Sequence, residues 1–130
     1  LPPHCRLEII AIDAGKRGKN ADIDRLRREE GQKLLAATPK GAYRVAMDVL
    51  GQSPDTPQLA ARLQGWMDMG RDVALWIGGP DGLSDDCLQS ADWRWSLSPL
   101  TFAHPLVRVV LAEQLYRAWS LVANLPYHRA

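Results

Sequence analysis

Five consecutive residues, Val73-Ala74-Leu75-Trp76-Ile77, carry no charged or hydroxyl side chain. A strand with one wet face alternates apolar and polar residues; a parallel strand covered by helices on both faces does not. The run therefore predicts an inner strand of a largely parallel sheet. It breaks at Gly78-Gly79-Pro80-Asp81-Gly82, where glycine and proline end regular structure.

The rest of the chain alternates in the same sense. Residues 6–13 (RLEIIAID) and 43–49 (YRVAMDV) read as strands, and 93–98 (WRWSLS) as another. Between the first two, a helix is expected to run to about Ala37 and stop before Pro39, with Asn20 as N-cap and Asp22 and Asp24 in its first turn. Ile23, Leu26 and Leu34 are assigned to its inner face, and Arg25, Arg27, Arg28, Glu29 and Glu30 to its exposed face. Thr56-Pro57 opens a second helix with a cap hydroxyl; Leu59, Leu63 and Trp66 line one face, and Gly70 supplies a left-handed end. Ser84 with Asp85 and Asp86 starts a short helix. Pro105 opens the last one, which ends near Asn124 and shows one polar stripe (Glu113, Arg117, Ser120) on an otherwise apolar surface. A helix apolar over so much of its circumference is expected to be buried on more than one side, the second side being a partner subunit. Alternating strands and helices imply an α/β fold in one domain spanning residues 1–130.

Composition narrows the function. The chain has 130 residues, 46% hydrophobic and 24% charged, which excludes a disordered or fibrous protein. A formal net charge of +1 excludes a general polyanion binder, so nucleic-acid contact must come from a local patch. Cys5 and Cys87 form neither a disulfide framework nor a metal motif, and His4, His104 and His128 are widely spaced, so no zinc site is read. No apolar stretch is long enough to span a membrane, and no secretion signal opens the chain; a cytoplasmic location is expected.

In open α/β sheets ligands bind beyond the carboxyl ends of the strands. The loops at residues 15–20, 50–55, 78–82 and 99–104 are thus the candidates. The glycines of IGGPDGL admit close approach of a ligand to the backbone, or simply make a tight turn; the spacing matches neither GxGxxG nor a P-loop. Lys16, Arg17 and Lys19 lie beside a helix start, where they hold phosphate or form a solvated loop. His104 is a helix cap or faces the cleft. Tyr127-His128-Arg129 is a frayed tail or a base- and phosphate-binding cluster.

Five blocks go further. AGKRGKNADI (14–23), DTPQLA (55–60), GRDVALWIGGPDGLS (70–84), WSLSPLTFAHPLVRVVLAEQLYRAWS (95–120) and PYHR (126–129) together resemble the RlmH family of SPOUT-class methyltransferases, in order and over nearly the whole chain. The resemblance implies methylation of N3 of a pseudouridine in 23S ribosomal RNA, with S-adenosylmethionine as donor and no metal. It implies an α/β fold with a deep trefoil knot near the C-terminus and a homodimer packed through the last helix. It also implies a family strand and helix upstream of the segment matching Leu1, so residues 1–130 are expected to be short of the family fold by those two elements. Carried over residue by residue, it assigns the donor to Met47, Gly78, Gly79, Leu97, Ser98, Pro99, Leu100, Thr101 and Phe102. Met47 stands where relatives often have Leu, a volume-conserving exchange, and Pro99 and Phe102 also depart from the usual block. His128 is expected to accept or orient the proton, Tyr127 to meet the target base and Arg129 to hold the RNA, with Lys16, Arg17 and Lys19 on phosphates farther out. Alternatives are a SPOUT enzyme acting on another RNA, a ribosome-binding module that has lost transfer, and a flavodoxin-like domain, the last disfavoured because no phosphate-cradling loop follows the first strand.

Overall fold

The structure, a computed structural model, describes residues 5–12, 22–79, 81–98, 100 and 104–124. Its elements run β1 (Leu7–Ala11), α1 (Ile23–Ala37), β2 (Tyr43–Gln52), α2 (Thr56–Met69), β3 (Val73–Ile77), α3 (Asp85–Ser90), β4 (Trp93–Trp95) and α4 (His104–Val122). Among the described residues the strands make one sheet in the order β1-β3-β2-β4. Every neighbouring pair is parallel.

The all-apolar run is β3, inside the sheet, with no residue more than 3% exposed. Strand side chains alternate faces, so β3 feeds two cores. Val73, Leu75 and Ile77 join Leu59, Leu63 and Trp66 of α2 and Leu111, Leu115 and Ala118 of α4. Ala74 and Trp76 join Leu34 of α1 and Cys87 of α3 on the other side. β1 follows the same rule, with Leu7 and Ile9 on the α2/α4 side and Ile10 on the α1/α3 side. The indole of Trp76, completely buried, donates to Thr38 Oγ1 at 2.8 Å, and Thr38 Oγ1 donates to the Leu34 carbonyl at 2.7 Å. The largest side chain of that core thus leaves no polar atom unpaired.

Several local expectations are corrected. α1 is capped by Asp22, whose carboxylate accepts from the Arg25 amide; Asn20 lies outside the described residues. Ile23, in the first turn beyond the sheet, is 37% exposed rather than inward. α2 is capped by Asp55, not by the Thr56 hydroxyl: Asp55 accepts from the Gln58 amide while the Gln58 side chain accepts from the Asp55 amide, a reciprocal capping box that places Thr56 and Pro57 inside the helix. β2 runs on to Gln52, because Trp95 pairs with both Met47 and Gln52 across an irregularity. β4 ends at Trp95 instead of Ser98. Gly70 ends α2 with φ 66°, as the sequence indicates.

α4 has two faces. Leu111, Leu115 and Ala118 are buried against α2 and the sheet, and Ser120 is also buried, its hydroxyl bonded to the Arg117 carbonyl at 2.7 Å. The opposite face presents Leu106, Val109, Ala112 and Tyr116, all exposed, with the Glu113–Arg117 ion pair along its edge. No helix among the described residues is long and apolar enough to cross a membrane.

Candidate functional site

The strand order decides where a ligand fits. The helices that follow β1 and β3 lie on one face of the sheet, and those that follow β2 and β4 lie on the other. The chain therefore leaves neighbouring strands β3 and β2 in opposite directions, opening a crevice beyond their carboxyl ends. Met47 stands on β2, and Gly78-Gly79 follow β3, on the two sides of this crevice.

The two glycines have distinct reasons. At Gly78 a Cβ would stand 2.7 Å from the Gly82 carbonyl carbon, because the 78–82 segment folds back on itself. Gly79 and Gly82 form an isolated antiparallel bridge, the Gly82 amide donates to the Gly79 carbonyl at 3.0 Å, and Gly82 has φ 82°. At Gly79 the obstacle is a side chain: a Cβ would lie 2.8 Å from both carboxylate oxygens of Glu30. Sequence periodicity set Glu30 on the exposed face of α1, but it is only 9% exposed. The geometry is that of a tight turn, and the close approaches at Gly78 and Gly79 are made by the chain's own Gly82, Leu83 and Glu30.

Beyond β4 the chain is shaped by short polar contacts. Ser96 Oγ donates to the Ser98 carbonyl at 2.9 Å, and Ser98 Oγ accepts from the Leu100 amide at 3.0 Å. Leu97 and Met47 pack against the α2/α4 core while remaining partly accessible. A cleft of about 460 Å³ opens between this segment, the start of α2 and α4. Leu97, Trp95, Ser96, Asp55, Thr56 and Gln114 are among the residues lining it. Of these only Leu97 was expected as a site residue. Trp95, Ser96 and Gln114 fall within the family-like block 95–120, and Asp55 and Thr56 within DTPQLA, so the resemblance marked their segments without assigning them a role. Trp76, two residues before Gly78, points away from this cleft and is sealed in the α1/α3 core.

The structure therefore brings Met47, Gly78, Gly79, Leu97 and Ser98 to the carboxyl ends of three neighbouring strands, and Leu100 follows them, exposed. Pro99, Thr101 and Phe102 lie outside the described residues, as do Lys16, Arg17 and Lys19 and the whole of Tyr127, His128 and Arg129. Among the described residues no group of three or more His, Cys, Asp or Glu could hold a metal. Both cysteines are buried free thiols, and burial is the main cause pushing each thiol pKa up.

The fold is thus a small parallel α/β sheet with a tight glycine turn at the switch point and a cleft between the end of β4, the start of α2 and α4. A family model described as Predicted SPOUT methyltransferase matches residues 1–128, and the chain belongs to this family. Among curated relatives, the Ribosomal RNA large subunit methyltransferase H of Acidithiobacillus ferrooxidans is 60% identical over 129 residues, covering 99% of this chain and 81% of the relative. The protein of the same name from Thioalkalivibrio sulfidiphilus is 57% identical over 129 residues, covering 99% of this chain and 83% of the relative.

Proposed function

We propose that this chain is an S-adenosylmethionine-dependent ribosomal RNA methyltransferase that modifies N3 of a pseudouridine in 23S RNA of the large subunit. The observation that carries the donor site is the meeting of Met47, Gly78-Gly79 and Leu97-Ser98 at the carboxyl ends of adjacent strands, two of which flank the switch point. The large-subunit ribosomal RNA substrate rests on the names of relatives at 57% and 60% identity, and the pseudouridine N3 target on the family resemblance. The fit to the donor is carried by Leu97, half-buried beside Trp95 and Ser96 in the lining of a 460 Å³ cleft, while Gly78 and Gly79 fold tightly against Gly82 and Glu30 at the end of β3.

S-adenosylmethionine, when bound, supplies an electrophilic methyl group, which needs no metal. The protein has to hold the donor, align the nucleophile and take up one proton. Met47 and Leu97 give the donor apolar contact. Gly78, Gly79, Ser98, Pro99, Leu100, Thr101 and Phe102 offer it mainly backbone. His128 accepts or orients the N3 proton, Tyr127 stacks on or hydrogen-bonds the target base, and Arg129 binds the RNA backbone. Lys16, Arg17 and Lys19 bind phosphates farther out, which lets a chain of net charge +1 hold RNA through a local patch. Two subunits pair through the exposed face of α4, doubling each patch, and the C-terminal segment passes through the family's trefoil knot. The setting is the cytoplasm, where ribosomes are made in bacteria such as those of the relatives.

Calorimetry with S-adenosylmethionine tests the donor site. Binding at one site per subunit supports it; no binding by folded protein rejects it. Methyl transfer to large subunits, free 23S RNA and tRNA then tests the substrate. If His128→Ala and removal of the residues after Pro126 both leave the rate unchanged, the assignment of the tail is wrong.

A further inference from the structure

Glu30 and Gly31 form the place where α1 meets the donor-side turn. Glu30 is nearly buried, and its carboxylate sits where a side chain on Gly79 would be, 2.8 Å from that position through either oxygen. Gly31 is buried too: a Cβ there would stand 2.4 Å from Ser84 Oγ and 3.3 Å from Cys87 Sγ. Cys87 Sγ donates to the Gly31 carbonyl at 3.6 Å. One dipeptide of α1 therefore touches both ends of the segment that leaves β3, Glu30 at Gly79 and Gly31 at the N-cap of α3.

Gly79 has no positive φ that would call for glycine. Among the described residues, the three atoms nearest to a side chain placed there all belong to the Glu30 carboxylate. A buried carboxylate is costly to desolvate and is kept where its position is needed or its charge is matched. We propose that Glu30 is a positioning residue for the methyl donor: seated on Gly79, it holds the Gly78-Gly79 backbone in the conformation that receives S-adenosylmethionine. The inference rests on the donor reading above.

The experiment is calorimetric titration of the full chain with S-adenosylmethionine and with S-adenosylhomocysteine, alongside thermal unfolding. Wild type, Glu30→Ala, Glu30→Gln, Gly79→Ala, the Glu30→Ala/Gly79→Ala pair and the core variant Leu63→Ala are compared. Glu30→Ala is expected to weaken both ligands by about tenfold, and Glu30→Gln, which keeps the shape, by about threefold or less. Gly79→Ala displaces the carboxylate and weakens binding like Glu30→Ala. In the pair the new methyl occupies the space left by the carboxylate, so the pair binds no worse than the poorer single variant. Leu63→Ala, in the opposite core, loses stability and keeps its affinity.

Wild-type affinity in Glu30→Ala overturns the proposal, as do strictly additive losses in the pair or a parallel loss in Leu63→Ala, which mark general loosening. If Glu30→Ala does not fold, unchanged affinity in Gly79→Ala overturns it equally. No binding by folded wild type is a different result: it removes the donor reading itself, and the role of Glu30 with it.

Discussion

Trp95 of β4 is the Cα partner of Met47 and again of Gln52 on β2. The residues between them, 48–51, bow out of the ladder beside the crevice and close again where the Ser96 amide donates to the Gln52 carbonyl at 2.7 Å. Asp48 Oδ1 accepts from the Leu50 amide and shapes the tip, which carries Leu50 at 89% exposure. The return is tight: a Cβ on Gly51 would lie 2.6 Å from the carbonyl carbon and oxygen of Arg94.

Gly51→Ala is accordingly expected to destabilise the fold by about 1–3 kcal/mol, since backbone rather than a movable side chain must yield. Urea unfolding measures it. A midpoint equal to wild type would show that β2 and β4 separate at little cost.

Gln52 Oε1 accepts from the indole of buried Trp93 at 2.8 Å and from Arg62 at 3.3 Å, while the Arg62 guanidinium stacks over the Trp93 ring at 3.8 Å. Gln52→Leu strands the indole N–H and is expected to cost about 1–3 kcal/mol. Gln52→Glu keeps an acceptor and is expected to cost less. Equal stability of the two variants in urea contradicts this account.

Burial, the first cause at both Cys5 and Cys87, raises the thiol pKa values; at Cys87 the Ser84 hydrogen bond works the other way. The unfolded thiols titrate near about 8.5, below the folded ones. Their contribution to stability is therefore fully present below about pH 8.5 and is lost as pH rises toward the folded values. The Cys5→Ala/Cys87→Ala variant is expected to lose less stability than wild type between neutral and alkaline pH. Identical slopes in unfolding titrations refute the linkage.

Val109, 64% exposed, lies centrally on the open face of α4. Val109→Asp is expected to leave the stability of an isolated subunit within about 0.5 kcal/mol of wild type, and to shift sedimentation from dimer to monomer. A dimer that survives this change uses another surface.

The α/β class was legible because it depends on patterns local in the chain. The unbroken apolar run of β3 announced burial on both faces, the spacing of Leu59, Leu63 and Trp66 announced the inner face of α2, and Gly70 announced its end. Met47, Gly78 and Leu97 were reached by resemblance, and the fold then set them at neighbouring strand ends. Asp55 displaced Thr56 as the cap because a carboxylate at that position can complete a reciprocal bond with Gln58, a choice between adjacent residues that composition does not make.

What the sequence determined by itself was the set of elements, since each follows from spacing, capping and turn chemistry within a few residues. Tertiary structure alone decided their order in the sheet, the Asp48-side bow of β2 and the burial of Glu30. Strand order places the switch point between β3 and β2, because β1 pairs with β3 and β4 with β2 across long stretches of chain. Glu30 shows the reason most plainly: helical periodicity places it with charged neighbours, but Gly79 leaves a space that only the folded chain brings to it, and its carboxylate fills that space.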